Sequence, residues 1–458
     1  MRYDENVIHE NKIENLINLE ENYFNEIKSK EISPSKLSQT ISSFANASGG
    51  DVYVGIHEDT RNHLRHWDGF KRIEDANGIA QMLEGLAPLA NFYEITFLKH
   101  PVLKTYVMQI TVAKTAEIIE ATDGMVYVRH NAQKLPVNSA EKRRRLELDK
   151  GVAQFENEVV QETDISDAIE SRTLSYFADS VVPDIEKEPW LKKQKLYNGK
   201  NLTVAGTLLF TDEPQIYLPK RSAIKIYRYK TDGIADRDML ASQPITIEGC
   251  LYNQVYGAVA VVKDIIETIK KLGEGFETIQ YPEETLHEII TNAVLHRDYS
   301  IATDIQIRIY DNRVEIESPG KLPGYVTVSN ILDSQSARNP KIVRLINKFP
   351  DAPNKDVGEG LNTAFEAMEK LRLKAPVIEE TENTVFVTIK HEKLASPEEI
   401  VMDYLKSNEF IKNDIGRKIT GIKSENSMKT VFYRLRKQGF IKLIRGKNIW
   451  IKTNNFKK

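Results

Sequence analysis

The stretch Pro282-Glu283-Glu284-Thr285-Leu286-His287-Glu288-Ile289-Ile290-Thr291-Asn292-Ala293-Val294-Leu295-His296 sets the character of this 458-residue chain. Glu288, Asn292 and His296 fall at i, i+4 and i+8, so they share one face of a helix, while Leu286, Ile289, Ile290 and Ala293 supply much of the apolar side. Alone, that is a polar stripe on a solvated helix. The residues C-terminal to it point elsewhere. Asp304–Tyr310 alternates with Ile305, Ile307 and Ile309 inward, Asp311-Asn312 turns, and Val314 and Ile316 return to Ser318-Pro319-Gly320. A loop then runs through Arg338-Asn339-Pro340 to Gly358-Glu359-Gly360, which opens a helix over Leu361–Met368. Glycines at a helix start let the backbone approach a phosphate, whose charge the helix dipole favours. No G-x-x-x-x-G-K-[ST] occurs, so a P-loop motor is excluded.

Downstream, Ser396-Pro397-Glu398-Glu399 is a helix start, with Ser as cap and Pro at the first position. A shorter segment follows over Lys412–Ile419. Met428, Val431, Phe432 and Leu435 mark the apolar face of a third helix ended by Gly439, leaving Lys429, Tyr433, Arg436 and Lys437 facing elsewhere. Phe440–Ile444 and Asn448–Lys452 can pair around Arg445-Gly446-Lys447. Between Glu398 and Lys458 fifteen Lys or Arg stand against six Asp or Glu, a local net of +9. Three helices and a hairpin with a basic tip describe a winged helix, with Lys429, Arg436, Lys437, Arg445 and Lys447 as candidate nucleic-acid contacts. A module for dimerisation or docking is the alternative.

Upstream, Pro34–Ala47 carries Leu37, Ile41 and Phe44 at helical spacing; Asn46-Ala47-Ser48-Gly49-Gly50 breaks it, and Val52, Val54 and Ile56 alternate as a strand. Further strands are expected at Tyr93–Leu98, Thr105–Val112 and Met125–Arg129. The run Glu141 to Asp149, with Arg143, Arg144 and Arg145, reads as a solvated face of a helical connector. Two strand-like runs, Leu202–Phe210 and Ala223–Tyr229, precede a helix from about Leu251 to Leu272, and a last strand is expected near Val385–Lys390. His391–Ser396 reads as a linker. His57, His63 and His66 lie within ten residues and could bind a metal, but without a nearby Cys they read as loop residues or phosphate contacts, and Trp67 as a packing residue.

At roughly 150 residues per domain the length suggests about three domains. The net charge of −3 announces no partner, so nucleic-acid binding has to come from local charge. The single cysteine, Cys250, excludes a disulfide scaffold and a structural Cys zinc site. Met1 to Asn22 is polar with no apolar run and no stretch reaches 18 apolar residues, so a cytoplasmic protein with neither signal peptide nor membrane partner is expected.

The motifs from Glu288 to Gly360, with His296-Arg297-Asp298-Tyr299-Ser300 and Asp311-Asn312-Arg313-Val314-Glu315-Ile316 between them, resemble those of the GHKL ATPases, especially the divergent branch found in Schlafen-type bacterial proteins. The resemblance covers about 201–390. It implies ATP as cofactor, Asn292 holding the magnesium that bridges the phosphates, and Glu288 polarising water. His296 would join the site, and Gly358 and Gly360 would wrap the phosphates under a lid containing Arg338 and Asn339. The family's Asp-x-Gly that grips adenine is Ser318-Pro319-Gly320 here, with Glu317 or Ser318 as the substitute.

Glu21-Asn22-Tyr23-Phe24-Asn25-Glu26-Ile27-Lys28, then Phe44-Ala45-Asn46-Ala47-Ser48-Gly49-Gly50, Gly55-Ile56-His57-Glu58 and Val126-Tyr127-Val128-Arg129 resemble the Schlafen AlbA-type domain over roughly 19–138. In nuclease members three carboxylates at these places bind a divalent metal and cut RNA. Carried over, they are Glu21, Glu26 and Glu58, holding Mg2+ or Mn2+, with Lys28 near the phosphate and Asp59 able to stand in for Glu58. Clustered carboxylates suit that chemistry, because the bound metal activates water and stabilises charge on the reacting phosphate. The chain as a whole resembles bacterial Schlafen AlbA-type (divergent AAA-4-like) DNA-binding proteins with a GHKL domain.

The expected architecture is an α+β multidomain chain. A Schlafen AlbA-like α/β domain spans 1–140, a helical connector 141–200, a GHKL (Bergerat) α/β sandwich 201–392 with its core at 275–392, and a C-terminal winged helix 397–458. With one AlbA-like unit per chain, a homodimer or higher even oligomer is expected. The expected activity is a nucleotide-regulated, metal-dependent nuclease acting on RNA such as tRNA, or on DNA, in anti-phage defence; the alternative is an ATP-responsive DNA-binding transcriptional regulator, and a third option is an ATPase whose first domain only anchors nucleic acid.

Overall fold

The computed structural model describes residues 4–59, 64–89, 91–181, 185–273, 275–278, 281–334, 336–353, 360–371, 373–390, 397–420, 422, 424–444, 446 and 448–453, without the side chains of 270–278, 399 and 407. Contacts divide the chain into two compact units, Met1–Met368 with Ala375–Lys390, and Glu369–Lys374 with His391–Lys458.

The larger unit begins with a five-stranded sheet ordered Asp4–Val7, Tyr93–Lys99, Tyr106–Val112, Gly50–Val54, Asn25–Lys28, with parallel pairs at both edges. Ser33 caps the Pro34–Ala45 helix by accepting from Lys36 N, and Pro34 sits at its first turn, where no N–H is needed. Leu37, Ile41 and Phe44 are fully buried on one sheet face, each contributing about 1.5–3 kcal/mol. Gly50 is required there: a Cβ would lie 2.4 Å from Phe24 O and 2.6 Å from the Phe44 ring. The strand expected through Ile56 breaks after Val54; Ile56–Asp59 instead pairs with Leu64–Trp67 as a separate hairpin. Trp67 is buried in the second cluster, which covers the other sheet face.

The connector helix, Ala140–Lys150, is capped by Ser139 and stopped by Gly151 in the left-handed conformation. Its arginines are not all solvated, since Arg145 pairs with Asp149 at 2.5 Å and with the buried Asp298. The Leu202–Phe210 run is also not a strand. After a short bridge at Asn201–Leu202, Thr203 caps a helix over Val204–Phe210 whose seven residues are all buried. A helix apolar all round lacks the period that separates it from a buried strand.

A six-stranded sheet follows, ordered Ile245–Ile247, Ile224–Arg228, Ile305–Ile309, Arg313–Pro319, Thr384–Lys390, Val377–Glu380, antiparallel except between Ile224–Arg228 and Ile305–Ile309. The helices Leu251–Glu267 and Glu283–Leu295 pack together over the face made by Ile305, Ile307, Ile309, Val314 and Ile316. The first of them ends before Leu272, which belongs to a hairpin strand at Lys270–Gly273.

In the smaller unit, helices Pro397–Ser407, Asn413–Thr420 and Glu425–Lys437 precede an antiparallel hairpin of Ile441–Ile444 and Ile449–Lys452. Val401, Leu405, Ile411, Met428, Phe432 and Trp450 fill its core. The linker His391–Ser396, including the expected cap Ser396, lies outside the described residues. No helix among the described residues is long and apolar enough to cross a membrane.

Candidate functional site

The buried side of the Glu283–Leu295 helix faces the sheet, which turns Glu288, Asn292 and His296 toward a cavity of about 370 Å3. Ser318, Gly320 and Gly360 line the same cavity, so six separately expected residues converge on one space. Asn292 Nδ2 donates to Glu288 Oε1 at 2.8 Å. Burial pushes the Glu288 carboxyl up, against the lowering effect of that hydrogen bond. Gly360, the first residue of the Gly360–Lys370 helix, lies against this carboxylate: a Cβ would sit 2.1 Å from Glu288 Oε1. Burial, with the Arg338 guanidinium adding to it, pushes the His296 imidazole down to about 4. The ring is therefore neutral at pH 7, and its buried Nδ1 has no hydrogen-bond partner among the described residues.

Ser318 Oγ donates to Ala293 O at 2.7 Å, pinning the strand end to the helix while the residue lines the cavity. Glu317, one position earlier, points to the opposite sheet face and pairs with Arg308 at 2.8 Å. Arg338 and Asn339 do not line the cavity. Arg338 donates to Leu148 O and Lys321 O at 2.9 and 2.7 Å and pairs with Asp298, whose carboxyl Arg338 and Arg145 hold down against the opposing effect of burial. Asn339 Nδ2 donates to Leu295 O and Arg297 O at 2.9 and 2.8 Å. Asn339 pins the loop to the end of the Glu283–Leu295 helix, and Arg338 pins it to the connector helix and to Lys321. Gly358 lies outside the described residues.

The cavity is fastened to the first domain by residues that carry no sequence signal. Leu322 and Val326 line it, and the Lys114 ammonium, just past the strand Tyr106–Val112, donates to Leu322 O at 2.8 Å and Val326 O at 3.1 Å. Glu380 Oε1 accepts from Leu322 N at 2.7 Å, and its Oε2 accepts from Ser48 Oγ at 3.0 Å. Lys114 and Glu380 are 3.5 Å apart and nearly buried. Lys321 reaches the Tyr23 hydroxyl at 3.3 Å, beside the first-domain carboxylates.

Those carboxylates are neutralised by cations. Lys28 Nζ lies 3.4 Å from Glu21 and 2.6 Å from Glu26. The other Glu26 oxygen pairs with Arg129, which stands over the Phe44 ring and donates to Asn22 O and Asn25 O. Glu21 Oε1 also accepts from Ile27 N at 3.0 Å. Glu58 sits on the separate hairpin, where Arg65 pairs with it across the strands at 3.6 Å. Among the described residues no group of three His, Cys, Asp or Glu is placed to hold a metal ion. As placed, Glu58 stands on a hairpin apart from Glu21 and Glu26 and each acid has a cationic partner, so the three do not form one divalent-cation ligand set. His57 and His66 face each other with ring centroids 5.0 Å apart; His63 lies outside the described residues.

In the smaller unit Met428, Val431, Phe432 and Leu435 are buried, which leaves Lys429, Arg436 and Lys437 exposed on the Glu425–Lys437 helix. Lys429 pairs with Glu425 at 2.6 Å, and Tyr433 stands edge-on to Trp450. Arg445 and Lys447 lie outside the described residues.

Residues 21–138 match the family model "Schlafen, AlbA_2", and residues 302–389 match HATPase_c_4, "Putative ATP-dependent DNA helicase recG C-terminal". Among solved structures the chain is similar to the DIP2311 protein from Corynebacterium diphtheriae, at 20% identity over 94% of this chain and 92% of that one, with a TM-score of 0.42. No curated protein matches the chain.

Proposed function

We propose that this chain, an AlbA-type protein with an ATPase-like domain, is a nucleotide-responsive nucleic-acid-binding protein, in line with the regulator reading. One observation carries it: the wall of the nucleotide cavity is hydrogen-bonded to the first domain through Lys114, Glu380 and Ser48. A ligand that moves Leu322 or Val326 has to alter contacts made by the first domain, and that is the differential interaction a response requires.

The lining of the cavity suits ATP: polar side chains at Asn292 and Ser318 lie beside apolar residues and the start of the Gly360–Lys370 helix. Phosphates are favoured at the start of the Gly360–Lys370 helix, where the helix dipole is positive. Bound ATP would supply a concentrated negative charge there. Asn292 would hold a Mg2+ ion, which would supply positive charge beside the phosphates, and Ser318, which lines the same cavity, would meet the base. Glu288, with its carboxyl raised by burial, is suited to take a proton from water. Nucleic acid would be held by the first domain, to which the cavity wall is tied, with the basic tail, of local net +9, adding salt-dependent phosphate contacts.

The test is fluorescence anisotropy of labelled duplex DNA and tRNA, with and without ATP and Mg2+, for the wild type and Gly360→Ala. ATP should change nucleic-acid affinity by ~5- to 150-fold in the wild type. The Gly360→Ala variant should bind nucleic acid normally and ignore ATP, because its Cβ displaces the Glu288 carboxylate. Equal affinities with and without ATP in the wild type would sink the proposal. Metal-dependent cutting of the tRNA would move the assignment to the nuclease.

A further inference from the structure

We infer that a second cavity, remote in its lining from the nucleotide site, binds a small organic cation. It is about 760 Å3, within the ~300–1,000 Å3 range of small-molecule sites, and shares no lining residue with the first cavity. It forms where the start of the Arg172–Val181 helix, the turn at 211–217, the start of the Leu251–Glu267 helix and Phe349 meet.

Its charge is negative: Asp167, Asp212 and Glu213 stand against the single guanidinium of Arg172. Two of these acids are fixed in place. Asp212 accepts from Arg172 N and Thr173 N at 3.0 Å each and from Thr173 Oγ1 at 2.8 Å. Burial opposes ionisation of Asp212, and these hydrogen bonds overcome it and hold its carboxyl below the usual range. Asp167 accepts from Asp164 N at 2.7 Å. Glu213 is exposed at the rim.

The remaining wall is aromatic. Tyr252 stacks on Phe349 with centroids 4.9 Å apart, and its hydroxyl donates to Pro350 O at 2.9 Å, which locks the ring. Tyr176, 46% exposed, lies 6.2 Å from Tyr252 by ring centroid. Tyrosine rings lining a cavity beside fixed carboxylates suit an ammonium or guanidinium group, since ring quadrupole and carboxylate charge both attract a cation. An anion is disfavoured, because the positive end of the Arg172–Val181 helix is already occupied by Asp212. The capping role explains Asp212, but it does not account for exposed Tyr176, Ile216 and Glu213 edging an open cleft.

The test is calorimetric titration of the full chain with spermidine and with agmatine. Saturable one-to-one binding of at least one amine is expected. Affinity should fall at least ~10-fold in the double variant Tyr176→Ala/Glu213→Gln, and Tyr176→Phe should keep it, since the ring face and not the hydroxyl carries the attraction. Both positions are exposed, so the melting temperature and binding of a fluorescent ATP analogue should stay as in the wild type. No saturation by either amine up to ~10 mM, the range below which a ring-and-carboxylate site should fill, would overturn the site. Unchanged affinity in the double variant, or displacement of the amine by ATP, would overturn it as well.

Discussion

Lys150 closes the connector helix with a buried ammonium that donates to Ala45 O and Thr115 O at 2.6 Å each and to Thr115 Oγ1 at 2.9 Å. Burial pushes the amine down from 10.5 to about 7; the charge of Lys114 adds to this, while Asp149 and Glu117 oppose it. The unfolded chain keeps this proton up to about 10.5 and the folded chain releases it near 7. Between those values the unfolded state binds more protons, so this group makes stability rise with pH across that window. Lys150→Met should flatten the rise: between pH 7 and 10 the difference in melting temperature should shift steadily in favour of the wild type, and parallel curves would refute the assignment. At this scale the sequence is selectively legible. Glu288, Asn292 and His296 can be read because a helix repeat puts them on one face. Lys114, Lys150 and Glu380 cannot, because an isolated lysine or glutamate carries no mark of the backbone carbonyl or amide it will meet.

The strand Asn25–Lys28 and the strand Tyr127–His130 are joined by the ion pair of Glu26 with Arg129, and both side chains are buried. Removing one partner of a buried pair strands the other charge. Glu26→Ala should therefore cost about 3–5 kcal/mol in urea unfolding. A loss under ~1 kcal/mol, the level of an exposed pair, would mean that Glu26 is not the counter-ion of Arg129. Loss of activity in this variant would not by itself identify a catalytic acid, since the fold is also at stake. Amphipathic elements were legible as elements: the helices Pro34–Ala45 and Glu425–Lys437 and the hairpin around Asp311-Asn312 follow their apolar period. The Val204–Phe210 helix was not, because seven buried residues in succession leave no period.

Within the larger unit, two sheets are joined by a few buried polar contacts, with Glu380 at their centre. Glu380→Ala should leave ATP affinity within ~3-fold of the wild type, below the coupling range of ~5- to 150-fold, and abolish the effect of ATP on nucleic-acid binding. The measurement is the thermodynamic cycle of ATP and duplex binding; a cycle unchanged by the substitution would refute coupling by this route. The sequence by itself determined the amphipathic elements, the position of the Glu283–Leu295 helix, the glycine at the start of the Gly360–Lys370 helix and the basic charge of the tail. Each of these is written in local periodicity, in backbone freedom or in composition. The tertiary structure alone decided that Arg338 and Asn339 fasten a loop and do not line the cavity. It alone decided that Glu21, Glu26 and Glu58 are matched to Lys28, Arg129 and Arg65, and that the cavity wall is tied to the first domain. Those are partnerships across long sequence separations: a residue type specifies what a side chain can bond, and only the folded chain brings the partner within reach.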